Sequence, residues 1–348
     1  MVRLSYNTSF TKRYVVKKQA EEIIIDSDNS KIKFIDGSTS IGSCIICADK
    51  FCAKYKAAEL STPTFQSFPH NTSDRVCPTE AISFSSIDGR AVISSEKCIG
   101  CGLCVHRCPT AAIHLDTHSG KASVTFDASI LSESGVEEQK LFIESAIQLK
   151  RKVSSKRIPA SFFSNYEALL VSSSKRTQDL SEIVVRNTLL NMGIHCNINA
   201  VGNNHIRTEF FGEEGGMVIM GESDIVNSDT LAIPRRILDD MAVLTGRYDV
   251  PKEKIVSLSV INGLPNKRTD YYEVVYDVSN ILGIQINTVT YHILWLLNYM
   301  NQKLRIEDFK SFIIDKDRQN LLPALANHIP AITSIDSCCE GFNYKPEK

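Results

Sequence analysis

The stretch that decides the first half of this chain is Cys98-Ile-Gly-Cys101-Gly-Leu-Cys104-Val-His-Arg-Cys108-Pro109, four cysteines separated by two, two and three residues and closed by a proline. Gly100 and Gly102 let the backbone turn tightly between the thiols and bring N–H groups close to sulfur. Pro109 fixes φ and removes a competing donor as the chain leaves. The chain has eleven cysteines, eight of them between positions 44 and 108, with Cys196, Cys338 and Cys339 scattered beyond. Such clustering argues for metal ligation before disulfides.

Working outward, a second set precedes the first. Cys44-Ile-Ile-Cys47 is followed by Cys52, with Lys50 where a third regularly spaced cysteine would stand. Its proline-flanked partner, Cys77-Pro78, arrives after the insertion AKYKAAELSTPTFQSFPHNTSDRV. Cys77-Pro-Thr-Glu-Ala-Ile is echoed by Cys108-Pro-Thr-Ala-Ala-Ile, and each copy leads into a strand-like run, ISFSS or IHLD. That self-similarity indicates a duplicated unit.

The run from Cys98 to Pro109 resembles the motif of bacterial ferredoxins, and residues 41–127 as a whole resemble a two-cluster [4Fe-4S] ferredoxin domain. The resemblance implies an α+β fold and two [4Fe-4S] clusters with crossed ligands, the last cysteine of each motif serving the other cluster. One cluster would then be held by Cys44, Cys47, Cys52 and Cys108, the other by Cys98, Cys101, Cys104 and Cys77. Two alternatives stand beside this: a zinc site of Cys44, Cys47, Cys52 and His70, or a lone cluster with spare cysteines. His106 and His114 flank the motif and read as surface histidines, Cys196 as a small buried apolar residue.

Composition sets the frame. At 348 residues the chain suits two or three domains, and 43% hydrophobic with 23% charged residues is ordinary for a protein with a sizeable core. A net charge of -1 supplies no electrostatic reason for a polyanionic partner or a membrane surface. No apolar run approaches the ~20 residues that span a bilayer, and the basic start lacks an apolar core and a cleavage site, so the expected location is the cytoplasm.

The expected organisation is consecutive. Residues 1–127 hold a strand-rich lead-in (EEIIID, KIKFID) and the ferredoxin-type domain, with AISFSS, AVISS, AIHLD and ASVTF as further strands. Residues 128–180 form a helical linker including GVEEQKLFIESAIQLKRK, 181–330 a mixed α/β domain, and 331–348 a disordered tail carrying Cys338 and Cys339. In the mixed domain a helix ends at Gly193, three strands follow with a Glu-Glu-Gly-Gly turn between the last two, then helix, strand, helix, and a strand running into a final helix. Asp270 is the expected cap of the helix after Leu264-Pro-Asn-Lys-Arg-Thr-Asp270.

This order of elements is similar to the restriction-endonuclease-like fold, which implies an acidic residue on one strand and an acid-x-lysine triplet on the next, binding Mg²⁺. Glu209 would be the first acid and Glu222-Ser-Asp224 the triplet, with Arg235 or Arg236 for the absent lysine and Glu182 as an extra ligand. Read from the residues alone, these carboxylates are solvated turn and strand-end groups. There is no Gly-x-Gly-x-x-Gly, no Walker loop and no nucleophile–histidine spacing, so no catalytic residue is assigned. The expectation is an iron–sulfur protein for electron transfer or redox sensing, working with a redox partner protein or larger complex that docks on the second half. Nucleic acid is not indicated. The alternative is a nucleic-acid-acting protein with a degenerate nuclease-like domain and structural or regulatory clusters.

Overall fold

The computed structural model describes residues 22–26, 31–35, 39–40, 43–55, 63–66, 68–116, 118–126, 162–175, 180–203, 207–226 and 230–329. The expected linker helix GVEEQKLFIESAIQLKRK and the pair Cys338 and Cys339 lie outside them. Helices and strands mix throughout, giving an α+β protein that divides into two compact units. The division is not the consecutive one expected. The first unit comprises residues 1–56, 74–169 and 298–303; the second comprises 57–73, 170–297 and 304–348.

The first unit opens with an antiparallel sheet of β1 (Glu22–Asp26), β2 (Lys31–Ile35) and β3 (Thr39–Ser40). Two small hairpins follow, β4 (Ile82–Phe84) with β5 (Ala91–Ile93), and β6 (Ile113–Leu115) with β7 (Ala122–Val124). Each begins just after one of the two Cys-Pro-Thr copies, so the repeat in sequence is a repeat in structure. Its core includes Ile45, Phe51, Val76, Leu103, Val105, Ile113 and Leu115, all buried.

The second unit is built on a five-stranded mixed sheet. In chain order its strands are β8 (His195–Ile198), β9 (Phe210–Glu214), β10 (Met217–Asp224), β11 (Ile255–Ile261) and β12 (Ile286–Thr290), and they lie side by side in that order. β8, β9 and β10 form an antiparallel meander, while β10, β11 and β12 run parallel through two helical crossovers, Ile233–Arg247 and Tyr271–Leu282. Every residue of β11 and β12 is buried, the polar Ser257, Ser259, Asn287, Thr288 and Thr290 included, as in a parallel sheet covered on both faces. The β9–β10 turn is Gly215-Gly216, both at positive φ (58° and 82°), the conformation a two-residue hairpin needs. Asp270 occupies the cap position of helix Tyr271–Leu282, yet its side chain makes no capping bond; Gly283 ends that helix in the left-handed conformation.

The insertion between Cys52 and Cys77 finds its place here. A short helix, Pro63–Gln66, carries Phe65 among the aromatic rings of the second unit. Phe65 and Phe68 both pack on Phe211 of β9, at centroid distances of 5.4 and 5.5 Å, and Phe68 also meets Tyr248 at 4.9 Å. Beyond them, the Asn71 amide donates to the Ile198 carbonyl and the Ala200 amide to Pro69, which extends the sheet past its edge strand β8. The Arg186 guanidinium closes the segment with a 2.7 Å bond to the Ser73 carbonyl.

Candidate metal centre

The cysteine loops of the first unit repeat in backbone conformation. In Cys98-Ile-Gly-Cys101 the residue before the second cysteine, Gly100, has φ +66°; in Cys44-Ile-Ile-Cys47 the matching Ile46 has φ +52°, a strained value for a β-branched residue. The exits repeat as well. Thr79 and Thr110, each two residues beyond a proline-flanked cysteine, place their hydroxyls 3.5 and 3.6 Å from the sulfurs of Cys77 and Cys108. Glu80 and Ala111 then take φ +54° and +56°, and the chain enters β4 or β6. Backbone amides approach sulfur in the second loop: Gly100 and Ala122 donate to Cys98, at 3.4 and 3.3 Å, and Ala81 donates to Cys77 at 3.1 Å.

The thiols influence one another. Cys47 is raised by burial and then by Cys108, Cys52 and Cys44; Cys52 is pushed up to about 12 by burial, then by Cys108 and Cys44. Cys101 and Cys104 are raised by burial and by their neighbours, both feeling Cys77 and Cys98, and Cys104 also feels Cys52. Thiols buried this close resist ionisation, because each new thiolate adds to the same negative field. A polycationic group that neutralises four thiolates at once is the chemistry such a donor set suits.

Arg107 braces the first loop. Its guanidinium donates to the carbonyls of Phe51 and Lys54, at 3.3 and 3.4 Å, and lies 4.3 Å from the centre of the Tyr55 ring. His114 pairs with Ser123 across its hairpin at 2.8 Å. His70, the fourth ligand of the zinc alternative, belongs to the second unit, with Nδ1 3.2 Å from the Phe68 carbonyl oxygen. Among the described residues no three His, Cys, Asp or Glu side chains crowd closely enough to share one metal ion.

Residues 91–114 match the family model of the 4Fe-4S binding domain, a span that takes in Cys98, Cys101, Cys104 and Cys108. The chain carries a ferredoxin-type iron–sulfur domain. No curated protein matches the chain. Among the described residues, no helix is long and apolar enough to cross a membrane.

Outside the ferredoxin-type domain, the carboxylates picked out in the second half differ: Glu222 is 1% exposed, while Glu182, Glu209 and Asp224 are half-buried. Asp240, which the sequence did not single out, is 3% exposed. The Glu209 carboxylate accepts two bonds from Ser223, from the amide at 2.7 Å and the hydroxyl at 2.5 Å. Arg236 reaches Glu222, whereas Arg235 points outward and is exposed. Burial, then the charges of Glu209 and Asp240, push Glu222 up to about 9; burial pushes Asp240 up to about 7. Asp240 and the buried Tyr291 carry no sequence signal beyond lying on apolar-faced helices.

Proposed function

We propose that this protein transfers electrons, or senses redox state, through two [4Fe-4S] clusters. One would be held by Cys44, Cys47, Cys52 and Cys108, the other by Cys77, Cys98, Cys101 and Cys104. The observation that carries the reading is the duplicated loop geometry, above all Ile46 held at φ +52° where the second copy has glycine. A β-branched residue is kept in that conformation only where the surroundings over-determine it. Each cluster would supply a reversible one-electron couple. The chain's own part is to hold the thiolates, to direct amide N–H groups at sulfur, and to keep water from Cys101, Cys104 and Cys108, which are buried. The second unit would dock a redox partner protein or larger complex, and the protein would work in the cytoplasm.

Iron and sulfide analysis tests this. Anaerobically purified protein is expected to contain about eight iron and eight acid-labile sulfide per chain, as two four-iron clusters require. Saturation at four iron with one zinc retained would overturn the two-cluster reading.

A second reading is a nucleic-acid-acting protein of nuclease descent, its clusters structural or regulatory. What favours it is the meander of β8, β9 and β10 continued by parallel β11, with Glu209 and Glu222 neighbouring each other and Arg236 standing for the lysine. It ranks second because phosphodiester cleavage needs metal-binding carboxylates open to substrate, and Glu222 is buried against a guanidinium. Neither plasmid, linear duplex nor single-stranded DNA is expected to be cut with Mg²⁺ or Mn²⁺. Cleavage abolished by Glu222→Ala, with iron content unchanged, would reverse the ranking.

A further inference from the structure

The peptide between Gly100 and Cys101 is gripped from outside its own loop. Its carbonyl oxygen accepts from Asn165 Nδ2 at 3.2 Å and from the Tyr299 hydroxyl. Asn165 Nδ2 also donates to the Gly120 carbonyl at 3.0 Å, and it lies 2.6 Å from the Tyr299 oxygen. One residue on, the Cys101 carbonyl accepts from Asn298 Nδ2 at 2.7 Å. All three side chains are buried and belong to the first unit, although 65 to 199 residues separate them from their acceptors in sequence. Asn165 comes from helix Phe162–Lys175, and Asn298 and Tyr299 from the end of helix Tyr291–Tyr299.

A trans peptide holds its C=O and N–H on opposite sides of one plane. Holding the Gly100 oxygen toward Asn165 and Tyr299 therefore aims the Cys101 N–H the other way. The preceding peptide meets this one at the Gly100 Cα, and its N–H donates to Cys98 Sγ at 3.4 Å. The position also demands glycine, since a Cβ on Gly100 would run into the Gly120 carbonyl and the Asn165 amide. Hydrogen bonds accepted by a carbonyl polarise its peptide and strengthen the N–H as a donor. An N–H aimed at a cluster thiolate stabilises the more negative, reduced state.

We propose that Asn165 and Tyr299 are positioning residues that raise the reduction potential of the cluster bound through Cys101, and leave the cluster bound through Cys44, Cys47 and Cys52 unaffected. This rests on the two-cluster reading above. Iron content tests that reading, and potential tests the clamp. If only one cluster is present, the clamp is still tested on the cluster that contains Cys101.

The experiment is a potentiometric titration of the full chain, followed by electron paramagnetic resonance, with wild type, Tyr299→Phe and Asn165→Ala. The cluster concerned is identified as the one whose signal Cys101→Ala removes. Each variant is expected to disfavour its reduction by threefold to tenfold, the upper end being about 59 mV for a one-electron couple. The other cluster's midpoint is expected to stay unchanged. Midpoints within threefold of wild type in both variants, or an equal shift at both clusters, would overturn the proposal. Should a variant lose iron on purification, hydrogen–deuterium exchange of the 98–108 peptide in Tyr299→Phe, made and kept anaerobic, decides instead. Faster exchange at Cys101 supports the clamp, and unchanged protection refutes it.

Discussion

Nε of Arg236 lies 3.2 Å from Oε2 of Glu222, pairing a guanidinium that is 38% exposed with a carboxylate side chain that is 2% exposed. The asymmetry matters. Arg236 can keep part of its hydration, while Glu222 gives up nearly all of its own, with Oε1 buried and unbonded. One partial ion pair does not offset burial plus the charges of Glu209 and Asp240, so Glu222 holds its proton to about pH 9.

That proton makes the second unit's stability fall with pH. A carboxyl group raised on folding contributes fully below its ordinary value, here 4.5 for Glu222, and the contribution is lost as pH rises through about 7 for Asp240 and about 9 for Glu222. Glu222→Gln mimics the protonated group and keeps the Arg236 contact. Thermal unfolding followed from pH 6 to 9 is expected to show a flatter decline for this variant. It should exceed wild type by a few degrees at pH 9, since each kcal/mol is worth about 2–4 °C in a domain of this size. Parallel curves would mean that Glu222 is ionised throughout.

The cysteine pairing makes a claim that sequence proximity opposes. Cys77 influences Cys101 and Cys104 across the fold, so Cys77→Ala is expected to perturb the same electron paramagnetic resonance signal as Cys98→Ala. The signal lost with Cys44→Ala should be the other one. A match between Cys77→Ala and Cys44→Ala would refute crossed ligation.

The aromatic anchor of the insertion is expected to contribute to stability like any core residue. Phe68 is 2% exposed and touches Phe65, Phe211 and Tyr248. Phe68→Ala is expected to cost about 3–5 kcal/mol in denaturant unfolding monitored through the second unit. A loss below about 1 kcal/mol would show that this segment rests on the sheet without being part of it.

How legible all this is from sequence depends on how local the signal is. The run from Cys98 to Pro109 is self-contained, and the strands of the second half carry apolar runs flanked by glycine and proline, so both can be read directly. The insertion reads as an interruption, because nothing between Ala53 and Val76 says that Phe65 and Phe68 belong with Phe211, some 140 residues away. Asn165, Asn298 and Tyr299 are likewise ordinary residues on helices, and only the tertiary fold brings their donors to the Gly100 and Cys101 carbonyls. Glu209 and Glu222 are legible as a pair, but the burial of Glu222 is not, nor is the charge that Asp240 brings to it from helix Ile233–Arg247.

The stitch formed by residues 57–73 has a consequence for how the chain is made. On the ribosome, Phe65 and Phe68 emerge long before β9 exists to receive them. At roughly 5–20 residues per second the wait is on the order of ten to thirty seconds. During that time two apolar rings stay in water, tethered between Cys52 and Cys77, which the crossed pairing assigns to different clusters. Neither half can be cut free cleanly: a fragment ending at residue 127 would carry a sticky loop with no receiving sheet, and one beginning at residue 181 would leave β8 as a bare edge inviting aggregation.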